Sequence, residues 1–185
     1  MKSAFLISCT LLSLGGMPTI PAIAAEFHLP SRFQQQFLQF PSTTKVSQGI
    51  SNSNSNFETE LLRLTNLERK KAGLSPLKLS LRLASTAQFH AVDMANNNYF
   101  SHTGCNGSSV GDRAKANGYK YQIVAENIAA GRSTPEGTIR QWMNSSGHRA
   151  NILNPQFTEI GFGYANTSNS RYRHYWVQIL GTPQR

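Results

Sequence analysis

Apolar residues first fall into a regular order at Phe57. Phe57, Leu61, Leu64 and Leu67 follow one face of a helix, with Glu58, Glu60, Arg63, Arg69, Lys70 and Lys71 on the rest of its surface. Gly73 is a natural stop for that helix, and Ser75-Pro76 reads as a turn. Ser80 is placed to cap a second helix to about Ala95, with a stripe of Leu81, Ala84, Ala87 or Gln88, Ala91, and Met94 or Ala95. Ser108 or Ser109, followed by Asp112, starts a short helix that Gly118 closes. Ile123 to Ala130 reads as a short extended or turn segment. Thr134-Pro135-Glu136 supplies a cap, a proline at the first helical position and an acid in the first turn; Ile139, Trp142 and Met143 follow on that helix. His148 to Leu153 adds a helical turn or two. The period then changes. Phe157–Tyr164 and Tyr172–Leu180 are rich in aromatic and β-branched residues, and Asn166–Arg171 between them is turn-like, which predicts an antiparallel hairpin. Helices feeding a hairpin predict an α+β fold, with helices packed on a small antiparallel sheet.

The chain before Phe57 carries a different pattern. Lys2, the apolar run Ala4–Met17, Pro18 and Pro21, and the small residues of Ala22-Ile23-Ala24 read as a signal peptide over residues 1–25, cleaved near Ala24 or Ala25. The competing reading, an N-terminal membrane anchor, needs about 20 apolar residues, more than this run supplies. Residues 26–56, with Gln34-Gln35-Gln36 and the alternating Ser/Asn run Ser51–Asn56, read as a flexible linker. Phe33, Phe37 and Phe40 sit at helical spacing, so a short docked helix is the alternative there. The folded domain is expected over 57–185.

Composition narrows the classes. The 185 residues carry 18 Lys+Arg against 9 Asp+Glu, a net charge of +9. The expected domain keeps +7 of this, in short scattered runs, either as a solvated surface or as an attraction to anionic cell-wall polymers and lipid headgroups. Nothing resembles a nucleic-acid-binding motif. No apolar run is long enough for an integral membrane span in the mature chain. Two cysteines exclude a disulfide-rich scaffold. Removal of residues 1–25 would leave Cys105 alone, as a buried spectator, a reactive thiol or an intermolecular link.

No single local motif declares an enzyme. The chain has no H-E-x-x-H, no phosphate-binding glycine loop and no G-x-S-x-G elbow. The ordered set of blocks is more specific: Phe100-Ser101-His102; Ala125-Glu126-Asn127-Ile128; Trp142-Met143-x-Ser145-x-Gly147-His148-Arg149-x-Asn151-Ile152-Leu153; Ile160-Gly161-Phe162-Gly163; and Tyr175-Trp176-Val177-Gln178-Ile179-Leu180-Gly181. Over about residues 57–182 this resembles the CAP superfamily of cysteine-rich secretory, antigen-5 and pathogenesis-related proteins, in its cysteine-poor bacterial branch.

The resemblance implies a three-layer α-β-α sandwich, an extracellular or cell-envelope location, and an open cleft lined by two histidines and two acids. Carried over by motif, these are His102, Glu126 and His148, with Ser145 standing where the second acid would be. Two imidazoles and a carboxylate match the donor set of an open zinc site, so His102 and His148 are candidate ligands of zinc or another divalent cation. Alternatively, Glu126 orients an imidazole from behind, or the three form a structural cluster. Three functions follow: a binding module for a lipid, glycan or peptide; a metal-dependent peptidase or esterase with Glu126 as base; or a structural envelope protein. His90 is expected as a packing residue, His174 as a surface residue, His28 as inert, and Trp142 and Trp176 as core. Asn127, Arg149 and Asn151 are expected to hold loops by hydrogen bonds to the backbone.

Overall fold

A computed structural model describes residues 44–185. The signal-peptide and most of the linker readings lie outside the described residues. The chain divides at Ile50/Ser51 into two units, and the fold below is that of the second.

Helix α1 spans Thr44–Lys71 and so begins within the expected linker, well before the Phe57 stripe. Strand β1 (Lys78–Leu79), helix α2 (Leu81–Asn96), helix α3 (Val110–Ala116) and strand β2 (Tyr121–Ala130) follow. Helices α4 (Pro135–Met143) and α5 (Ser146–Ile152) then lead into β3 (Glu159–Asn166) and β4 (His174–Pro183). Two caps form as the residue types dictate. Ser109 and Asp112 make a reciprocal capping box on α3, and the Thr134 hydroxyl accepts from the Gly137 N–H on α4. Ser80 stands at the start of α2 but makes no side-chain cap; its N–H donates to Ile160 O at 2.8 Å, extending the edge of the sheet.

The four strands of this unit lie in the order β1-β3-β4-β2. The predicted hairpin is β3–β4, paired antiparallel from Glu159↔Gly181 to Asn166↔His174. The segment read as short is a full ten-residue strand, β2, antiparallel to β4 over most of its length. Strand β1 is too short to show a period and pairs parallel to β3, so the sheet is mixed rather than purely antiparallel.

Alternation along β4 builds the two cores. Trp176 and Leu180 face a cluster with Leu61 of α1, Ile139 and Trp142 of α4 and Ile152 of α5. Tyr175, Val177 and Ile179 face the opposite cluster, with Leu83, Ala87, Ala91 and Met94 of α2 and Ala114 of α3. The result is the expected α-β-α sandwich.

Two helical faces differ from the predicted stripes. Along α1 the buried line is Leu61, Thr65 and Arg69, at i, i+4 and i+8, while Leu67 is exposed. Along α2, Leu83, Ala87, Ala91 and Met94 are buried and Leu81 is 79% exposed. The cause lies in β3. Gly161 and Gly163 present bare backbone to α2, and the helix settles with the main chain of Leu83–Ala84 and Ala87–Gln88 directly on them. That contact, rather than apolar count, sets the rotation of α2.

Candidate functional site

Strand β2 lies at an edge of the sheet, and its two faces are lined by different helices. Glu126 and Asn127 are consecutive there, so their side chains serve opposite layers. Glu126 points to the α2–α3 side. Its Oε1 lies 2.8 Å from His102 Nδ1, and its Oε2 accepts from Arg113 Nη2 at 2.7 Å. The side chain is 2% exposed, against 59% for His102. A carboxylate this buried requires charge and hydrogen-bond partners, and Arg113 supplies both. Arg113 is itself anchored: Nη1 donates to Ser108 O at 2.7 Å and Nη2 to His102 O at 3.1 Å. One arginine on α3 therefore holds the acid, the histidine backbone and the loop between them.

Asn127 points to the other layer. Its Nδ2 donates to His148 O at 3.1 Å and to Gln178 Oε1 at 2.8 Å, and its Oδ1 accepts from Asn151 Nδ2 at 2.8 Å. Gln178 continues to Thr65 Oγ1 at 3.2 Å. A polar chain thus runs from α5 across one face of the sheet to α1, and it fixes the start of α5 where His148 sits. Asn127 holds the α5 backbone as expected, whereas Asn151 bonds the Asn127 side chain rather than a backbone group. Arg149 is exposed.

The two histidines come from opposite layers, each tied to β2, His102 through Glu126 and His148 through Asn127. Burial, and then the charge of His102, hold the His148 imidazole below its ordinary pKa. His148 Nδ1 is buried with no hydrogen-bond partner among the described residues. Ser145 stands at the N-cap of α5 and lines a polar cavity of about 550 Å³ with Arg132, Thr134 and Arg140.

The zinc donor set is not assembled as three protein ligands. Both Glu126 oxygens are engaged inside the protein, and among the described residues no group of three or more His, Cys, Asp or Glu is placed to hold a metal ion. What the geometry does offer is a carboxylate behind an imidazole, which fixes the ring and leaves Nε2 as its outward nitrogen.

Sequence reasoning placed the remaining histidines in part. His90 is buried, as expected of a packing residue, and its Nε2 lies 2.9 Å from Ser101 O. His174 is half-buried rather than on the surface, and its Nδ1 lies 2.8 Å from the Tyr164 hydroxyl. Trp142 and Trp176 are both core. Cys105 is half-buried, and its backbone N–H donates to the Asp93 carboxylate at 3.1 Å. Arg113 was missed; its only sequence signal was its place directly after the capping acid Asp112.

The buried imidazoles set a pH dependence. His90 and His148 both have pKa values lowered from 6.5, chiefly by burial. The unfolded chain therefore takes up protons that the folded chain refuses as pH falls below about 6.5, and stability is lost in that direction. Urea midpoints are expected to be lower at about pH 5.5 than at about pH 7.5, where this contribution is fully present. An unchanged or higher midpoint at the acid pH would show that these rings do not govern the profile.

Comparison with known proteins gives a consistent picture. Residues 62–180 match the cysteine-rich secretory protein family, CAP. The uncharacterised Bacillus subtilis protein YkwD is 42% identical over 126 residues, covering 68% of this chain and 49% of that protein. The chain thus spans about half the length of that relative, and 31% of a second, the uncharacterised B. subtilis membrane protein YlbC. Among solved structures, an extracellular SCP-domain protein from Bacillus anthracis superposes with a TM-score of 0.64 at 30% identity, covering 78% of this chain and 45% of that one. A cysteine-rich secretory protein from Staphylococcus aureus gives 0.55 at 28%, covering 69% and 38%.

Proposed function

The chain belongs to the cysteine-rich secretory protein family, and from that premise we propose that it is an exported, non-catalytic binding module whose His102–His148 cleft takes an extracellular lipid, glycan or peptide. The burial and double engagement of Glu126 carry this reading. A general base must reach a water or substrate in the cleft. Glu126 instead spends one oxygen on Arg113 and the other on His102. It is a positioning residue that presents an exposed imidazole. The unpartnered His148 Nδ1 beside it is a polar atom that a ligand can satisfy. The excess of positive charge favours anionic members of those ligand classes.

The test is co-sedimentation of the full-length protein with purified cell-wall sacculi and with phosphatidylglycerol vesicles, alongside a panel of ester and peptide substrates. Binding to one of the two surfaces is expected, weakened about tenfold by His102→Ala or His148→Ala, with no hydrolysis above the buffer rate. Hydrolysis abolished by Glu126→Gln and His148→Ala would establish the metal-dependent hydrolase instead. Binding indifferent to both histidine variants would leave the cluster a purely structural device.

A second reading rests on the hydrogen bond from His102 to Glu126. That arrangement also suits a weak divalent site of two imidazoles, with Glu126 behind one of them. Calorimetric zinc titration decides it. A stoichiometric site lost in both His102→Ala and His148→Ala would establish the pair as ligands, and no binding up to millimolar zinc would remove it.

A further inference from the structure

A second cavity of about 380 Å³ opens between α2 and α3. Phe89 stands at its wall, 66% exposed despite its size, with Ala116 and Thr86 nearby in the lining. His90 and Arg113 supply polar groups to the same lining, and each carries one atom that no group among the described residues satisfies.

The chemistry of those two atoms is opposite. His90 Nε2 lies 2.9 Å from Ser101 O, and a carbonyl can only accept, so that nitrogen carries the proton. Burial holds the His90 pKa below its ordinary value, which favours the neutral ring, and in that ring Nδ1 is the acceptor. Nδ1 is buried without a donor. Arg113 uses Nη1 and Nη2 on Ser108 O and Glu126, while its Nε–H is buried without an acceptor. Asp93, the remaining charged group of the lining, is already occupied. Its carboxylate accepts from the Tyr99 hydroxyl, Asn97 Nδ2 and the Cys105 N–H. The Thr86 hydroxyl is likewise taken, donating to Arg82 O and accepting from Asn117 Nδ2.

One open acceptor and one open donor are what a single hydroxyl group completes, since it donates one hydrogen bond and accepts another. An anion would face Asp93 and the His90 lone pair, and a cation would face Arg113. The Phe89 ring, Ala116 and the Thr86 methyl give the rest of such a ligand an apolar wall. We propose that the cavity between α2 and α3 binds a small neutral molecule with an apolar body and one hydroxyl, the hydroxyl joining His90 Nδ1 to Arg113 Nε and the body lying on Phe89. This site is distinct from the His102–His148 cleft, although Arg113 borders both.

The test is an amide NMR titration of the full-length protein with p-cresol, and with toluene as the matched probe that lacks the hydroxyl. Saturable shifts are expected at Phe89, His90 and Ala116 in the millimolar range, with toluene about tenfold weaker. Phe89→Ala removes an exposed ring without opening the core, and it is expected to weaken p-cresol about fivefold. His148→Ala is expected to leave p-cresol binding unchanged, which separates this site from the proposed cleft. Three results would overturn the proposal. Absent saturable shifts would mean that water alone completes the two atoms. Equal affinities for p-cresol and toluene would remove the hydroxyl bridge. Binding indifferent to Phe89→Ala would place the ligand elsewhere.

Discussion

Alanine at position 69 is expected to cost the domain about 3–5 kcal/mol of stability. Arg69 is 1% exposed, deep in the line that α1 turns to the core. Its hydrogen-bond partners among the described residues are backbone carbonyls rather than a carboxylate. Nε donates to Ser75 O at 2.9 Å, Nη1 to Ile152 O at 2.8 Å and Asn154 O at 2.9 Å, and Nη2 reaches Phe157 O at 3.5 Å. The guanidinium therefore ties the end of α1 to the exit of α5 and the approach to β3. Truncation leaves these acceptors facing a cavity, and an unsatisfied buried carbonyl costs about 1–3 kcal/mol. Arg69→Lys is expected to recover only part of the loss, because an ammonium lacks the planar fork that spans separate carbonyls. Urea denaturation of the two variants measures both effects. An alanine variant within about 1 kcal/mol of wild type would show that water can replace the guanidinium.

Gly161→Ala is expected to be as damaging, at about 3 kcal/mol or more, through a clash rather than a loss. A Cβ at Gly161 would lie 2.1 Å from Ala84 N and 2.2 Å from Leu83 C. At Gly163 it would lie 2.3 Å from Ala87 C and O. These are backbone atoms of a packed helix, so no side chain can swing aside. The whole of α2 must lift from β3, taking Leu83, Ala87 and His90 with it. Gly147→Ala is the matched control. It sits in α5 with nothing within 4 Å of the added carbon, and helix propensity predicts a gain of about 0.5–1 kcal/mol. Thermal melts separate the two. A Gly161→Ala protein melting with wild type would mean that the helix and strand are not in backbone contact.

These residues also mark where sequence reading succeeded and where it stopped. Helices α3 and α4 were legible because their ends are local chemistry: Ser109 with Asp112, and Thr134 with Pro135. The β3–β4 hairpin was legible through its change of period. Leu67 and Leu81 were assigned to buried faces because periodicity counts apolar residues and does not see what lies opposite. The Gly161–Gly163 contact decided the face of α2, and it pairs residues far apart in the chain. Arg69 read as one of three terminal basic residues, since nothing local distinguishes it from Lys70 and Lys71. His102, Glu126 and His148 were singled out by resemblance to a family, and the first two meet in a hydrogen bond. Arg113, which grips Glu126 from α3, could not be read, because its role exists only once α3 is folded against β2.

The place of β4 has a consequence for how the domain is made. Trp176 and Leu180 complete one core, and Tyr175, Val177 and Ile179 the other, yet β4 follows every other element of the domain. Until that segment has been synthesised, β2 and β3 have no strand between them and neither helical layer has its floor. The nascent domain therefore remains open until β4 has been made, with native pairing delayed until long-range contacts can form. A domain that folds this late stays extended, and so threadable, until its last strand is made.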